Sequence, residues 1–185
     1  IGTNAELIAG NRERLVCTST PTGPAFEGAH IEYGMRAADG ALERIEIDPE
    51  TLEPRYRIIG IEGWGPDHLE IDEPTGNGGL VKGICGSAII DGVAEMFRCG
   101  IITPRGHFNK DLESERIRKG DLGWEYVVAW ADETSIGRDI PITLDDVRQI
   151  QLAKAALYTA SHILLRELGV VTPDKIILAG AFGSH

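Results

Sequence analysis

Apolar residues recur every three or four positions along one long stretch near the C-terminal end of the chain, residues 143–168. They are Val147, Ile150, Ala153, Leu157, Ala160, Leu164 and Leu168. Thr143 stands before the stretch as an N-cap residue, and Gly169 stands after it at the usual stop position. This spacing predicts a helix with one apolar face, roughly 37 Å long at 1.5 Å per residue.

Shorter patterns of apolar and polar residues predict strands in the first third of the chain. Two arms, residues 5–9 and 12–18, flank Gly10-Asn11, a two-residue link typical of a tight hairpin. Apolar residues alternating with polar neighbours predict further strands at 41–47 and 56–61. The chain therefore opens with antiparallel strands.

The remaining patterns predict a second helix and two more strands. Ser87 is a credible N-cap for a helix that stops at Gly100. Its apolar positions at helical spacing are Ile90, Val93, Ala94 and Phe97. Residues 124–130 read as a strand within an otherwise loop-rich segment at 101–142, and the continuous apolar run at 175–179 is typical of a strand covered on both faces. The order of elements predicts an α/β fold with helices packed on a mixed sheet.

Composition narrows the possible functions. The 185 residues include 18 Lys and Arg against 29 Asp and Glu, a net charge of −11, with 42% hydrophobic and 25% charged residues. These values are ordinary for a globular protein, and the acidic balance argues against a nucleic-acid partner. The chain has no apolar run near the roughly 20 residues that a membrane helix needs, so no membrane association is expected. Three cysteines without a CxxC motif, of which Cys17 and Cys99 are expected in the core, favour a reducing, cytoplasmic setting.

Three glycine-containing turns are candidates for binding an anion. In Gly2-Thr3-Asn4-Ala5-Glu6, the Thr3 hydroxyl and the Asn4 amide can donate hydrogen bonds. Gly83-Ile84-Cys85-Gly86-Ser87 ends at a predicted helix N-terminus, which favours phosphate, and Gly180-Ala181-Phe182-Gly183 follows the last predicted strand. Glycine turns are commonly only turns, and none of the three has the lysine and hydroxyl residue of a P-loop.

The sequences of four blocks, and their order along the chain, carry a family resemblance. They are Gly2-Thr3-Asn4-Ala5-Glu6-Leu7, Gly23-Pro24-Ala25-Phe26-Glu27-Gly28-Ala29, Gly83-Ile84-Cys85-Gly86-Ser87-Ala88-Ile89-Ile90-Asp91 and Leu178-Ala179-Gly180-Ala181-Phe182-Gly183. Together they resemble the C-terminal part of the ATP-dependent, ferredoxin-containing reductive activators of corrinoid proteins. That family belongs to the acetate and sugar kinase, chaperone and actin (ASKHA) superfamily, whose two ribonuclease-H-like lobes close on ATP.

The resemblance implies that residues 1–185 form one partial ribonuclease-H-like lobe with a loop-rich insertion at 101–142. Three features of the family are expected upstream of this chain: the first phosphate loop, the Asp before the position of Ile1, and an N-terminal iron–sulfur domain of the 2Fe-2S ferredoxin type. The implied activity is the ATP-dependent return of an inactive cobalt(II) corrinoid protein to the cobalt(I) state, with electrons from the iron–sulfur domain. ATP and Mg²⁺ are the implied cofactors of the full-length protein, and the implied partners are a corrinoid protein and an electron donor, with a homodimer possible.

The residues expected to contact nucleotide are Gly2, Thr3, Asn4, Gly83, Gly86, Ser87, Gly180 and Gly183. The candidate catalytic carboxylates are Glu6 and Glu27. Glu6 is a candidate for orienting water or magnesium, and Glu27 lies in a glycine-rich turn that can face the cleft. For each of them the alternative is an ordinary solvated side chain. The five histidines show no metal-ligand spacing, so no metal ligand is assigned in this chain. Two alternatives stay open: an activator of a radical 2-hydroxyacyl-CoA dehydratase, in which Cys85 ligates a shared cluster, and a non-catalytic docking or dimerisation lobe.

Overall fold

A computed structural model describes residues 2–65 and 80–180 of the chain. The described strands are β1 Asn4–Gly10, β2 Leu15–Pro21, β3 Ala41–Ile47, β4 Pro54–Ile58, β5 Gly83–Ile84, β6 Ile117–Gly120, β7 Gly123–Ala129 and β8 Ile140–Thr143. The helices are α1 Gly86–Arg98 and α2 Leu144–Glu167, with short helical turns at Pro24–Glu27 and Ala131–Glu133. The turn at Pro24–Glu27 is called the 24–27 turn below.

The strands form three small sheets. β1 and β2 make an antiparallel hairpin, β4-β3-β5 is a mixed sheet in which β3 and β5 run parallel, and β6-β7-β8 is antiparallel. The main core lies between α1 and the two three-stranded sheets, where Leu42, Ile89 and Ile142 are fully buried. The predicted α/β architecture with helices packed on mixed sheets is confirmed.

The N-terminal hairpin is longer at its turn than the sequence predicted. Gly10 pairs with Leu15, so the connection covers four residues rather than Gly10-Asn11 alone. The Asn11 side-chain oxygen closes it by accepting the backbone N–H groups of Glu13 and Arg14 at 2.8 and 3.0 Å. Asn side chains readily accept hydrogen bonds from nearby backbone N–H groups, so the turn forms at residues 11–14 instead of at Gly10-Asn11.

Helix α1 begins two residues earlier than predicted and uses a different face. Cys85 is its N-cap residue, and the hydroxyl of Ser87 donates to the Glu43 carbonyl at 2.8 Å instead of capping. The buried residues are Gly86, Ala88, Ile89, Gly92, Val93 and Met96. Of the predicted face only Val93 is buried, and Phe97 is 55% exposed. Apolar residues surround much of this helix, so the spacing alone allowed two faces, and packing on β3 selects one.

Helix α2 matches its prediction. It spans Leu144–Glu167, and Thr143 and Asp146 form a capping box in which the Thr143 N–H donates to Asp146 at 2.8 Å and the Asp146 N–H donates to the Thr143 hydroxyl at 3.2 Å. The β1–β2 hairpin lies along α2, and Arg14 at its tip pairs with Glu167 at 2.8 Å. Asp146 is buried and also accepts the Glu32 N–H at 2.9 Å; its burial raises the pKa of the carboxyl.

The segment expected to be loop-rich contains a complete sheet. The strand predicted at 124–130 is present as β7, and it is flanked by β6 and β8, two strands that the sequence pattern does not predict. Arg116, only 4% exposed, fixes this sheet to the neighbouring one by pairing with Glu53 at 2.7 Å and donating to the carbonyls of Val127 and Val128. β6 and β8 have four residues each, too few for an alternating pattern to be distinctive.

The strand predicted at 175–179 is wrong for the described structure. These residues are in no strand, and Ile176, Ile177 and Leu178 are 78%, 73% and 66% exposed. A strand covered on both faces needs a hydrogen-bonded neighbour and two packing layers, and the described residues supply neither at this segment. Cys17, also expected in the core, is exposed, and Cys99 is only partly buried.

Among residues 2–65 and 80–180, neither helix combines the length and the apolar character needed to cross a bilayer.

Candidate functional site

The turn at Gly2-Thr3 is fixed against the start of the 24–27 turn by backbone hydrogen bonds. The N–H groups of Thr22 and Gly23 both donate to the Thr3 carbonyl at 3.1 Å. The Thr22 hydroxyl also donates to the carbonyl of Gly2. The first two blocks singled out in the sequence are therefore joined in space.

The side chain of Glu27 completes this connection. The Thr3 backbone N–H donates to one Glu27 carboxylate oxygen at 2.9 Å, and the Thr3 hydroxyl lies 2.9 Å from both oxygens. Gly2 is adjacent, since a Cβ added there would lie 3.0 Å from the carboxylate. Hydrogen bonds to an ionised acceptor are stronger than neutral ones, so Thr3 offers an effective set of anion donors.

The third block meets the other side of the same turn. A Cβ added at Gly86 would lie 1.7 Å from the carbonyl oxygen of Phe26, so only glycine allows the start of α1 to pack this closely on the 24–27 turn. A Cβ added at Gly83 would lie 2.7 Å from the Tyr33 carbonyl oxygen. Close contact between backbone segments thus accounts for both glycines without a ligand.

The start of α1 is positively polarised and has no side-chain cap. Cys85 makes no capping hydrogen bond, and the Ser87 hydroxyl is engaged by the Glu43 carbonyl and lies 3.0 Å from the buried Cys85 sulfur. The backbone N–H groups of the first turn are therefore the groups of this block suited to an anion, and the helix dipole adds about half a positive charge at this end.

Asn4 and Glu6 lie on one exposed face of β1, two residues apart, and the neighbouring Ala5 is buried on the opposite face. In the part of the chain that is described, neither side chain takes part in a hydrogen bond or ion pair. They are exposed polar groups beside the Gly2-Thr3 turn.

The fourth block is not brought to this junction by the described residues. Gly180 has φ +104°, and a Cβ added there would meet nothing within 4 Å. Gly183 lies outside the described residues. Within the two described ranges, no group of three or more His, Cys, Asp and Glu side chains is arranged to hold a metal ion.

Sequence reasoning missed two residues that build this junction, Thr22 and Phe26. Thr22 is almost fully buried because its hydroxyl and N–H hold the Gly2-Thr3 turn, and Phe26 is buried with its carbonyl against Gly86. A signal for Phe26 was available, since it is the large apolar residue in a run of small ones. Thr22 gave no such signal, because its role depends on a partner 20 residues away.

Comparisons with known proteins agree with the fold. Residues 1–185 match the family described as the C-terminal domain of RACo, the ASKHA domain. The chain is 35% identical over 194 residues to "Corrinoid activation enzyme RamQ" of Eubacterium limosum, covering the whole chain and 30% of that protein. It is 27% identical over 191 residues to "[Co(II) methylated amine-specific corrinoid protein] reductase" of Methanosarcina barkeri, covering the whole chain and 31% of that protein.

A solved structure is also similar. The "Reductive activator for corrinoid,iron-sulfur protein" aligns with a TM-score of 0.81 and 38% identity, over 99% of this chain and 27% of that one. The chain thus spans about 30% of the length of the curated relatives it matches. The match over all 185 residues shows that the chain belongs to the family of C-terminal ASKHA domains of RACo-type proteins.

Proposed function

We propose that this chain supplies part of the nucleotide site of an ATP-dependent reductive activator, which returns a corrinoid protein from the inactive cobalt(II) to the cobalt(I) state. One electron per cobalt comes from an iron–sulfur domain of the full-length protein. The observation that carries the proposal is the junction of Gly2-Thr3, the 24–27 turn and the start of α1, which places hydroxyl and amide donors beside a helix N-terminus that has no side-chain cap.

The names of the relatives support the corrinoid protein as the substrate. Two curated relatives are named for corrinoid activation and for reduction of a Co(II) corrinoid protein, and the similar structure is a reductive activator. No relative in this set is named for a dehydratase, so the alternative of a dehydratase activator lacks a supporting observation. Its proposed cluster ligand, Cys85, is buried and lies against Ser87.

The residues present fit a triphosphate. The Thr3 N–H and hydroxyl already donate to a carboxylate, that of Glu27, which supports an anion-binding role for this turn. Asn4 is exposed next to it and can donate through its amide. The first-turn N–H groups of α1, including those of Gly86 and Ser87, would stabilise phosphate charge from the other side.

In this proposal each group of the chain has a limited task. Thr3 and Asn4 orient phosphate oxygens, and the first turn of α1 neutralises part of their charge. Gly83 and Gly86 keep α1 close to the 24–27 turn so that these donors stay at fixed positions. Gly180 and Gly183 are proposed to approach the adenosine, and Glu6 remains a candidate for orienting water or Mg²⁺.

ATP, when bound, supplies the free energy that favours the closed arrangement of the two lobes in which the electron transfer occurs. A ligand shifts such an equilibrium only through its different affinity for the two arrangements, so part of that difference must arise at the junction described here. The electron donor and a homodimer belong to this proposal as expected partners of the full-length protein.

The proposal is tested by calorimetry with ATP on the chain alone and on the full-length protein that contains it. Because the family closes two lobes on ATP, we expect weak or undetectable binding by the chain and clear binding by the full-length protein. Absorbance spectra of the corrinoid partner, recorded with a reductant, should show cobalt(I) only when ATP is present. Micromolar affinity of the chain alone would contradict the requirement for a second lobe, and ATP-independent reduction would contradict the proposed activity.

A further inference from the structure

We infer that the Glu27 carboxylate occupies the anion-binding position of the Gly2-Thr3 turn and has to leave it before a phosphate group can bind there. The inference rests on the proposed function, because the phosphate in question belongs to the nucleotide. It gives Glu27 a regulatory task that is different from acting on water or metal.

The first argument is the number of available protons. The Thr3 backbone N–H carries one hydrogen and the Thr3 hydroxyl carries one, and both lie 2.9 Å from Glu27 oxygens. A phosphate oxygen bound by the same two groups would take the position of the carboxylate. The two anions therefore exclude each other at Thr3.

The second argument is charge. A carboxylate and a phosphate held on neighbouring positions of one turn would repel each other, and the cations closest in sequence to the turn, Arg12 and Arg14, lie at the far end of β1. Arg14 is already paired with Glu167. No basic side chain among the described residues 2–29 lies beside Thr3, and the partial positive charge at the start of α1 is too small to neutralise two anions, so release of Glu27 accompanies binding.

The third argument is that the turn keeps its shape without the Glu27 side chain. The 24–27 turn is closed by its own backbone bonds, from Gly28 N–H to the Ala25 carbonyl at 3.0 Å and from Ala29 N–H to the Pro24 carbonyl at 3.1 Å. The bonds to the Thr3 carbonyl described above are also independent of Glu27. Since Glu27 and Thr3 are both exposed, the carboxylate can rotate into solvent while the donors stay in place.

The experiment measures the affinity of the full-length protein for a non-hydrolysable ATP analogue, so that any change in hydrolysis does not affect the result. Glu27→Gln removes the competing charge and should tighten binding roughly tenfold, the size expected for losing one exposed charge-assisted contact. Thr3→Val removes the hydroxyl donor and should weaken binding, whereas Thr3→Ser retains the hydroxyl and should restore it.

Glu113→Gln is the matched control, because Glu113 is exposed on the segment before β6 and the substitution changes the net charge by the same amount. Tighter binding in Glu27→Gln with no change in Glu113→Gln supports the inference, as does binding that appears only in Glu27→Gln. Unchanged or weaker binding in Glu27→Gln, while the wild-type protein binds the analogue, overturns the inference and leaves the proposed function standing. Absence of binding in both proteins overturns both.

Discussion

Replacing Gly86 by alanine tests whether the start of α1 and the 24–27 turn act as one packed unit. In the structure the new Cβ would lie 1.7 Å from the Phe26 carbonyl oxygen and 2.5 Å from its carbonyl carbon. Cβ atoms essentially never approach other heavy atoms closer than 3.0 Å, so the Phe26 backbone must withdraw by about 1.3 Å, the difference between 3.0 and 1.7 Å. Because Glu27 follows Phe26 directly in the chain, we expect a displacement of that size to disturb the 2.9 Å contacts between Glu27 and Thr3.

The energetic cost follows from overpacking against backbone. Forcing extra atoms into a packed contact typically costs about 1–3 kcal/mol, and alanine recovers at most about 1 kcal/mol through its higher helix propensity. We therefore expect Gly86→Ala to lower the free energy of unfolding by about 2 kcal/mol. For a chain of this length that corresponds to a fall in melting temperature of roughly 4–8 °C.

Gly92→Ala is the matched control, because it is the same substitution in the same helix. A Cβ at Gly92 would lie 2.4 Å from the end of the flexible Ile142 side chain, which can rotate away, and 3.3 Å from that of Ile45. Its helix-propensity gain offsets most of this cost, so we expect a change of less than about 1 kcal/mol.

Denaturant unfolding followed by circular dichroism measures the two free energies, and hydrogen exchange of residues 22–29 reports on the junction. Gly86→Ala should increase exchange at Gly28 and Ala29, whose N–H groups close the 24–27 turn. Equal stability of the Gly86 and Gly92 variants, together with unchanged exchange at residues 22–29, would refute the packing argument.

Two further predictions concern the adenosine block and the pH dependence of stability. Gly180→Val should abolish ATP binding by the full-length protein, because valine is strained at φ +104°. The control is Gly137→Val, at φ +62° with equally open surroundings, which should leave binding unchanged. Normal affinity of the Gly180→Val protein in calorimetry would show that the adenosine assignment is wrong. Hydrogen bonds from Arg98 and from the Ile47 N–H hold the pKa of Glu95 below its usual value. A carboxyl whose pKa is lower in the folded state adds stability above its unfolded pKa and loses it as the pH falls through the folded value. Glu95→Gln should therefore lower the free energy of unfolding by about 1 kcal/mol at pH 7, and this loss should shrink as the pH falls through the lowered pKa of Glu95. A loss that stays constant across denaturant titrations at successively lower pH would contradict this.

The sequence predicted correctly those elements for which several neighbouring sequence features indicate the same structure. For α2, the three- and four-residue spacing, the Thr143 cap and Gly169 all agree, and the helix formed within one residue of its predicted limits. The strand at 41–47 has the same bounds in the structure. In α1 the spacing allowed more than one buried face, and tertiary packing, mainly on β3, decides it.

The candidate site, like the fold, could be predicted only in part from the sequence. All the glycine blocks, including the one at 178–183, were predicted to converge, but the described residues bring together only the blocks at 2–7, 23–29 and 83–91, around the 24–27 turn. The bond between Thr3 and Glu27 was not foreseeable, because it joins residues 24 positions apart and depends on how the hairpin lies on α2. Likewise, the apolar run at 175–179 carries a strand signal, but a strand also needs a neighbour, and sequence patterns do not show which one is available.

The buried carboxylate of Asp146 has a mechanical consequence for α2. Asp146 holds both the first turn of this helix and the Glu32 N–H, which lies five residues beyond Glu27. The helix has 24 residues, so it extends about 36 Å from this anchor to the end where Glu167 meets Arg14. A tilt of about 5° around the anchor moves the far end by roughly 3 Å over that length. We therefore expect any rearrangement near Glu27 that tilts α2 to produce a larger displacement at the tip of the hairpin, at the opposite end of the helix.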